Sequence, residues 1–487
     1  MSLDYRTLFE ALRPEGALII GALAVLGFDL SILRRLSESL RYRASLAVGA
    51  AAVVVAGCLA CCGPYGPVFG GVLILDRLAV ATRIGVLSLT LIALGTVASG
   101  QKLRHSAEYV AIMLFAASGL TLMAATQQLL VAFLALELAS LSLYILAGFD
   151  KARPEAAEAG LKYFLFGGMA AAFLLFGFSL IYGLTGSVDL PEIAARLAAH
   201  APGPLLMVAL IMVLVAFGFK AAAAPFHLWA PDVYEGAATG SASFIASASK
   251  LAGITFFTRI LWTGFYPVSG DASSLPLAPG WVPALAAVAG FSMLVGNFGA
   301  LAQTNIRRLL AYSAISHSGA LLLGVIAVGD FGVGPLFYYA FTYGIAVAGA
   351  FTVISVVEKS GPCQKITDLG GLFQRAPFLT GCLAIFTLSL AGIPPLAGFF
   401  GKFSVFASVL RLGGLGGPVG WLVVLAIALS AVALYYYLIV LKQALVTPAA
   451  QGATRIVVAP VAATTLALAA VLIVLLGLRP SLILSLF

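Results

Sequence analysis

Apolar residues in this chain gather into runs of about twenty, separated by short polar connections, and a helix needs roughly that many to cross a bilayer. The runs fall at 15–33, 45–62, 78–98, 107–125, 127–148, 161–183, 204–224, 237–262, 281–301, 306–328, 334–357, 377–411, 419–441 and 456–478. Two of them are interrupted. The seventh meets Pro225 shortly after Lys220, and the twelfth reads TLSLAGIPPLAGFFGKF, with Gly392, Pro394, Pro395 and Gly398 ahead of Lys402. Proline removes a backbone donor and clashes with the preceding turn. Groups freed in this way at membrane depth persist only inside protein or beside a wet cavity. The pattern predicts an all-α polytopic membrane protein of about 14 transmembrane helices, broken at helices 7 and 12.

Paired interruptions in corresponding places of two halves point to inverted repeats around a transport site. Lysine precedes the break in one half and follows it in the other, the reversal that inversion would give. The expected organisation is a three-helix segment (1–106), a first five-helix repeat (107–262), a second, inverted one (263–441) and a last helix (442–487).

Composition agrees. Of 487 residues, 62% are hydrophobic and 9% charged, against about 25% charged in a soluble protein. The net charge of +8 is scattered between apolar runs, so it reads as a topology signal and not as a nucleic-acid surface. One set of alternate loops holds Arg34, Arg35, Arg41, Arg43, Lys102, Arg104, Lys151, Arg153, Arg307, Arg308, Lys359, Lys365, Arg375, Lys442 and Arg455. The other set, tails included, holds only Arg6, Arg13, Arg77, Arg196, Arg411 and Arg479. The richer side is expected in the cytoplasm and both termini on the opposite face. Cys58, Cys61 and Cys62 lie in an apolar run, AGCLACCG, without further ligands nearby. They are expected to pack as small apolar residues, leaving the chain no redox centre or metal of its own.

Ionisable residues within the runs carry the functional signal, because a charge at the bilayer centre is costly. Glu137 sits mid-run in LLVAFLALELASLSLYILAGF. Burial disfavours a charged side chain and an opposite charge restores it, so Lys220, also mid-membrane, is its natural partner. The pair reads either as a static lock between helices or as a lysine whose protonation changes during turnover. Lys250 follows SASFIASAS, a run that packs closely and holds water, and reads as a relay. Lys402, after the second break, completes a row of one carboxylate and three lysines. His227 is expected in a cytoplasmic turn, feeding protons inward or fixing the loop. His317, among Ser313, Ser316 and Ser318, is expected to bridge the halves or to pack. Arg83, Lys162 and Arg259 lie near run ends and are expected to snorkel, while Asp29 and Asp76 are expected to make interfacial or partner contacts.

These same residues carry a resemblance. LALELASLSLY around Glu137, FKAAAAPFHLWAPDVYEGA around Lys220, SASK at Lys250, NIRRLLAYSAISHSG, and LAGIPPLAGFFGKF before Lys402 together resemble the antiporter-like membrane subunits of proton-pumping NADH:quinone oxidoreductase, respiratory complex I, and among them the N-type. The resemblance covers nearly the whole chain. It implies fourteen helices with two inverted five-helix repeats, a Glu137–Lys220 pair, Lys250 as central relay and Lys402 as distal site. It also implies that Lys162 modulates the pair. FMN, iron–sulfur clusters and the quinone site would belong to partner subunits, and the neighbours would be an M-type antiporter-like subunit, a small K-type subunit and membrane lipids. A composition rich in Ala, Gly and Arg points to a bacterial plasma membrane as its home. Two other readings stay open: a subunit of a cation/proton antiporter, and a scaffold whose internal charges only hold helices together.

Overall fold

The computed structural model describes residues 4–31, 37–101, 103–199, 203–270, 280–361, 363–449 and 453–487. Arg34, Arg35 and Lys102 of the basic set, and the end of the first apolar run, lie outside them. The described chain is helical apart from a small antiparallel hairpin, β1 (Gly66–Val68) with β2 (Leu73–Leu75).

After a short helix at Tyr5–Ala11 come the long helices α1 (Arg13–Ser31), α2 (Glu38–Cys61) and α3 (Arg77–Ser99). They are followed by α4 (Ser106–Ala125), α5 (Leu129–Ala147) and α6 (Pro154–Thr185). The seventh run folds as α7 (Pro204–Ala221) and a short α8 (Trp229–Gly236). The eighth is one long helix, α9 (Thr239–Gly264). Then come α10 (Trp281–Leu301), α11 (Ile306–Phe331) and α12 (Gly334–Glu358). The twelfth run splits into α13 (Pro377–Ala391) and α14 (Ala397–Arg411), and α15 (Gly420–Leu445) and α16 (Pro460–Leu478) end the bundle. Among the described residues thirteen helices are long and apolar enough to cross a membrane, and α13 is a shorter apolar helix. The amphipathic helix Leu190–Ala198 lies between α6 and α7, buries Leu190, Ile193 and Leu197, and is no candidate crossing. There the carboxyl group of Glu192 accepts from Ser187 and Arg196, which holds it below the usual carboxylate range.

Burial sorts the helices. α9 is buried along its whole length and α11 and α12 nearly so, while α1, α2, α6, α15 and α16 leave most of their apolar surface outward. A helix apolar all round belongs in a core or a bilayer, and here the polar exceptions lie on the central helices. α9 is also irregular: it winds as a π-helix over Ile245–Ser249, directly before Lys250, and again over Ile260–Gly264. Such turns insert an extra residue and occur mostly as local bulges, often at functional sites.

Both breaks are held by bonds that replace the lost helical ones. In the first, Ala222 turns left-handed and its N–H and that of Ala223 cap α7 at Phe219 and Gly218. The indole of Trp229 donates to the Phe219 carbonyl at 3.1 Å, and the Ala224 N–H donates to Ser292 Oγ at 2.8 Å. In the second, Gly392 takes φ +90°, a conformation that costs other residues a Cβ clash. The Gly398 N–H donates to Ser389 Oγ at 3.1 Å across the break. A Cβ on Gly398 would stand 1.8 Å from the Ser389 carbonyl oxygen, so backbone would have to move. Gly398→Ala is therefore expected to prise α14 from α13 and cost about 1–3 kcal/mol, seen as a lower yield of folded protein from membranes.

Candidate functional site

The site begins on α5. Glu137 lies half-buried on that helix, between the outward Leu134, Leu138 and Leu141 and the packed face of Ala135 and Ala139. Its Oε1 is enclosed and lacks a hydrogen-bond partner. One turn on, Ser140 Oγ accepts from Lys220 Nζ at 3.4 Å. Lys220 is the penultimate residue of α7, nearly buried. No N···O contact within 4.0 Å joins it to Glu137 among the described residues; the group it reaches on α5 is Ser140.

The stem of Lys220 lies along α9, where a Cβ on Gly253 would meet its Cγ at 3.1 Å. Lys250 is one turn away. Its ammonium donates to the Ala314 carbonyl at 2.7 Å and to Ser318 Oγ at 2.8 Å. Ser318 Oγ also lies 2.5 Å from the carbonyl of Ala221, the residue after Lys220. One hydroxyl thus touches both lysine neighbourhoods.

Beyond Lys250 the row crosses α11 and α12. The ammonium lies 5.1 Å from the centre of the Tyr343 ring, a cation–π distance, and that ring packs 4.8 Å from the ring of His317. His317 Nδ1 is 2.7 Å from the Tyr339 hydroxyl. His317 and Tyr339 then face Lys402 across a cavity of about 20 Å³, lined also by Asn297, Ser316 and Tyr436. That is room for one water with several polar partners. Lys402 Nζ donates to the Ala391 carbonyl at 3.0 Å, the last residue before the second break. The three lysines picked out in the sequence thus lie along one line of buried contacts, through Ser318, the Tyr343 ring, His317 and Tyr339, and Ser140 ties Lys220 to the helix that carries Glu137; the Tyr343 hydroxyl and Glu137 Oε1 have no hydrogen-bond partner among the described residues. Ser140, Tyr343 and Tyr339 had not been singled out. A lone hydroxyl in an apolar run carries no signal until the helix faces are known.

A second cluster lies where α8 turns into α9. Lys162 donates to Asp232 at 2.6 Å and contacts Glu158 at 2.6 Å. Arg308 reaches Asp232 at 2.7 Å and Glu235 at 2.9 Å. Asn305 donates to Glu235 at 2.8 Å. Arg307, almost fully buried, donates to the carbonyls of Glu235 and Ala237 at 3.1 and 2.9 Å and binds Thr239 and Glu358. The arginines belong to NIRRLL, and their target carboxylates lie too far off in the chain for spacing to reveal.

Three expectations change. His227 lies in the turn after α7, and that turn is buried within the break between α7 and α8, with His227 beside the ring of Tyr312 and its Nδ1 unpaired. Arg83 and Arg259 do not snorkel. Arg83 is buried and contacts the equally buried Glu15 at 3.0 Å. That contact is close but poorly aligned, since neither side chain completes a hydrogen bond there. Arg259 is buried and binds Asp76 at 2.7 and 3.0 Å and the Ala124 carbonyl at 3.1 Å. Asp29, expected at an interface, binds Arg41 within the chain. An unpaired charge in such surroundings would be very costly, and both buried arginines, Arg83 and Arg259, contact an acid.

Comparison with known proteins accords with this geometry. Residues 125–433 match a family model described as NADH:quinone oxidoreductase/Mrp antiporter, transmembrane. A protein of Acidobacterium capsulatum named NADH-quinone oxidoreductase subunit N 2 is 47% identical over 99% of this chain and 98% of its own length. One of Roseiflexus castenholzii named NADH-quinone oxidoreductase subunit N 1 is 39% identical over 86% of this chain and 80% of its own. A chain of respiratory complex I from Thermus thermophilus superposes with a TM-score of 0.79 and 33% identity, covering 97% of this chain and 98% of that one. A chain of the Mrp complex from Dietzia shares the fold, with a TM-score of 0.78 at 24% identity over 98% and 96% of the two chains. With matches running nearly end to end, the chain belongs to the NADH-quinone oxidoreductase subunit N family.

Proposed function

We propose that this chain is the antiporter-like subunit of the membrane arm of a proton-translocating NADH:quinone oxidoreductase, and that it carries protons through Glu137, Lys220, Lys250 and Lys402. The observation that supports this most is the line of buried contacts itself, which runs between the two broken helices through the most buried part of the molecule. Along it lie hydroxyls, an imidazole, amines and a space for water, which can accept and pass a proton, while at Tyr343 the contact is the ring face. Energy from quinone reduction elsewhere in the complex would perturb Glu137, change the charge held at Lys220 and move a proton by way of Lys250 toward Lys402. His317, with Tyr339, would bridge the last gap; Lys162 and His227 would modulate the entrance half.

In this reading FMN, the iron–sulfur clusters and the quinone sit in partner subunits, and this chain does no redox chemistry. Its neighbours are an M-type antiporter-like subunit and a small K-type subunit, with lipids on the outward faces. The membrane is the bacterial plasma membrane, with the basic loops inside and both termini on the periplasmic side. Residues 107–262 and 263–441 act as the two inverted halves, between the leading 1–106 and the trailing 442–487. The cation/proton antiporter reading is weaker, because the Mrp likeness at 24% identity speaks for fold alone.

The test is made in the assembled complex. Lys220→Ala and Glu137→Ala are each expected to cut NADH-driven proton pumping into vesicles by roughly half or more, while the complex still assembles, since each removes a positioned proton-transfer group. Unchanged pumping in an assembled variant would sink the scheme.

A further inference from the structure

Proline takes a backbone donor out of each broken helix, and the carbonyl left without a partner can be named. In a continuous helix the carbonyl of Ala221 would accept from residue 225, and that of Ala391 from residue 395. Both are prolines, Pro225 and Pro395, with no N–H to give. Each carbonyl finds a side-chain donor instead. Lys402 Nζ donates to the Ala391 carbonyl at 3.0 Å. The Ala221 carbonyl accepts from Ser318 Oγ at 2.5 Å, and Ser318 in turn accepts from Lys250 Nζ at 2.8 Å. A lysine therefore stands behind the cap of each break, directly in the second and through one hydroxyl in the first. Beside the first cap Ala222 is held at φ +55°, a left-handed conformation that an alanine adopts only at a cost.

A serine has one hydrogen to give, and Ser318 has two carbonyls in reach, Ala221 and, at 2.9 Å, Ala314. With Lys250 charged, Nζ serves the Ala314 carbonyl at 2.7 Å and also occupies a lone pair of Ser318 Oγ. The serine's hydrogen then goes to the shorter contact, with Ala221. A neutral amine has a lone pair of its own. Ser318 can turn its hydrogen to that amine, and the Ala221 carbonyl loses its donor. At Lys402, loss of the charge leaves an ordinary, weaker bond in place of a charge-assisted one. The titratable groups facing Lys250 are Lys220 on α7, His317 on α11 and Tyr343 on α12. Those facing Lys402 are His317, Tyr339 and, on α15, Tyr436. Among the described residues no carboxylate pairs with either lysine from the other helices packed around them.

We propose that the charge on Lys250, acting through Ser318, latches the first break, and that the charge on Lys402 latches the second. Ser318 is then a positioning residue: it passes no proton, and it couples the end of α7 that carries Lys220 to the charge on Lys250. In turnover this latch rests on the proton-carrying function proposed above. Hydrogen exchange in the assembled complex tests it. The amides of Ala222 and Ala223 report the first break and those of Gly392 and Ile393 the second, each read as protection relative to an unfolded chain at the same pH. From about pH 6 to about pH 10, a range that covers buried and ordinary lysines, protection at both breaks is expected to fall roughly threefold to tenfold, as for the loss of one hydrogen bond. Ser318→Ala should hold the first break at the low value throughout, with the second still changing. Lys250→Met should hold the first break at the high value throughout, because Ser318 is left only carbonyls to donate to. Lys402→Met should fix the second break at the low value. A first break that stays level in the unmodified complex, or still changes in Lys250→Met, overturns the latch at Lys250, and a level second break overturns the one at Lys402. Proton pumping is measured on the same preparations. Retained pumping in Lys250→Met beside the expected exchange pattern would sink the proton path and keep the latch.

Discussion

Lys250→Met is expected to lower proton pumping by about two orders of magnitude, the low end of what a positioned proton-transfer group supplies, without unfolding the chain. Both halves of the line of contacts converge on this amine. Ser318 reaches it from the Lys220 side, and Tyr343 packs against it from the His317 side. No other described ionisable side chain is placed to take over. Stability should hardly suffer. Methionine fills a similar volume, and replacing a buried charge by an apolar group of like size is often neutral or stabilising. The groups left behind keep partners: Ser318 Oγ still bonds the carbonyls of Ala221 and Ala314. The check is a comparison of NADH-driven acidification of vesicles with the thermal melting of the purified complex. Lost pumping at unchanged melting is expected. Retained pumping would remove Lys250 from the path, and a collapsed melting temperature would make it a structural residue.

Arg307→Ala is expected to have the opposite profile, a large loss of stability. The guanidinium ties the α8–α9 turn, through the carbonyls of Glu235 and Ala237 and the hydroxyl of Thr239, to Glu358 at the end of α12. Removing it leaves the largely enclosed Glu358 without its counter-charge, with Thr239 as its remaining side-chain donor, and leaves two carbonyls short of a donor. Breaking one side of such a buried pair costs about 3–5 kcal/mol. Arg307→Lys should recover only part, because an ammonium cannot reproduce the planar fork. The double change Arg307→Ala with Glu358→Gln should melt above Arg307→Ala alone, since the stranded charge is gone. If the single and double variants melt alike, the ion pair is not what holds the turn.

How far the sequence could be read follows from what each residue reports about itself. Run length and hydropathy report crossing, which is why helices such as α10 lie where the apolar run predicts. Proline and glycine report the backbone, so the breaks after Lys220 and before Lys402 were legible. Partnership is another matter. Arg259 and Asp76 are 183 positions apart, and nothing local to Arg259 distinguishes a snorkelling side chain from one anchored to a distant acid. The burial of His227 was hidden for a related reason. Prolines on either side of it mark a turn, but α8 resumes at once and keeps that turn inside the bundle. Glu137 and Lys220 were found by the cost of their charges, but the contact of Lys220 with Ser140 instead of Glu137 depends on how α5 is turned toward α7.

The bonds of Lys250 also bear on biogenesis. The acceptors that hold its ammonium, the Ala314 carbonyl and Ser318, are made 64 and 68 residues later in the chain. At about 5–20 residues per second of synthesis, that is a delay of roughly 3–14 s. Throughout it α9 must enter the membrane with a cation that lacks its final partners, at about 2.5–3.5 kcal/mol. Its hydropathy of 1.3 is the lowest among the candidate crossings. Nascent α9 therefore has every reason to linger beside the translocon, or under the protection of an insertase, until α11 emerges to receive it.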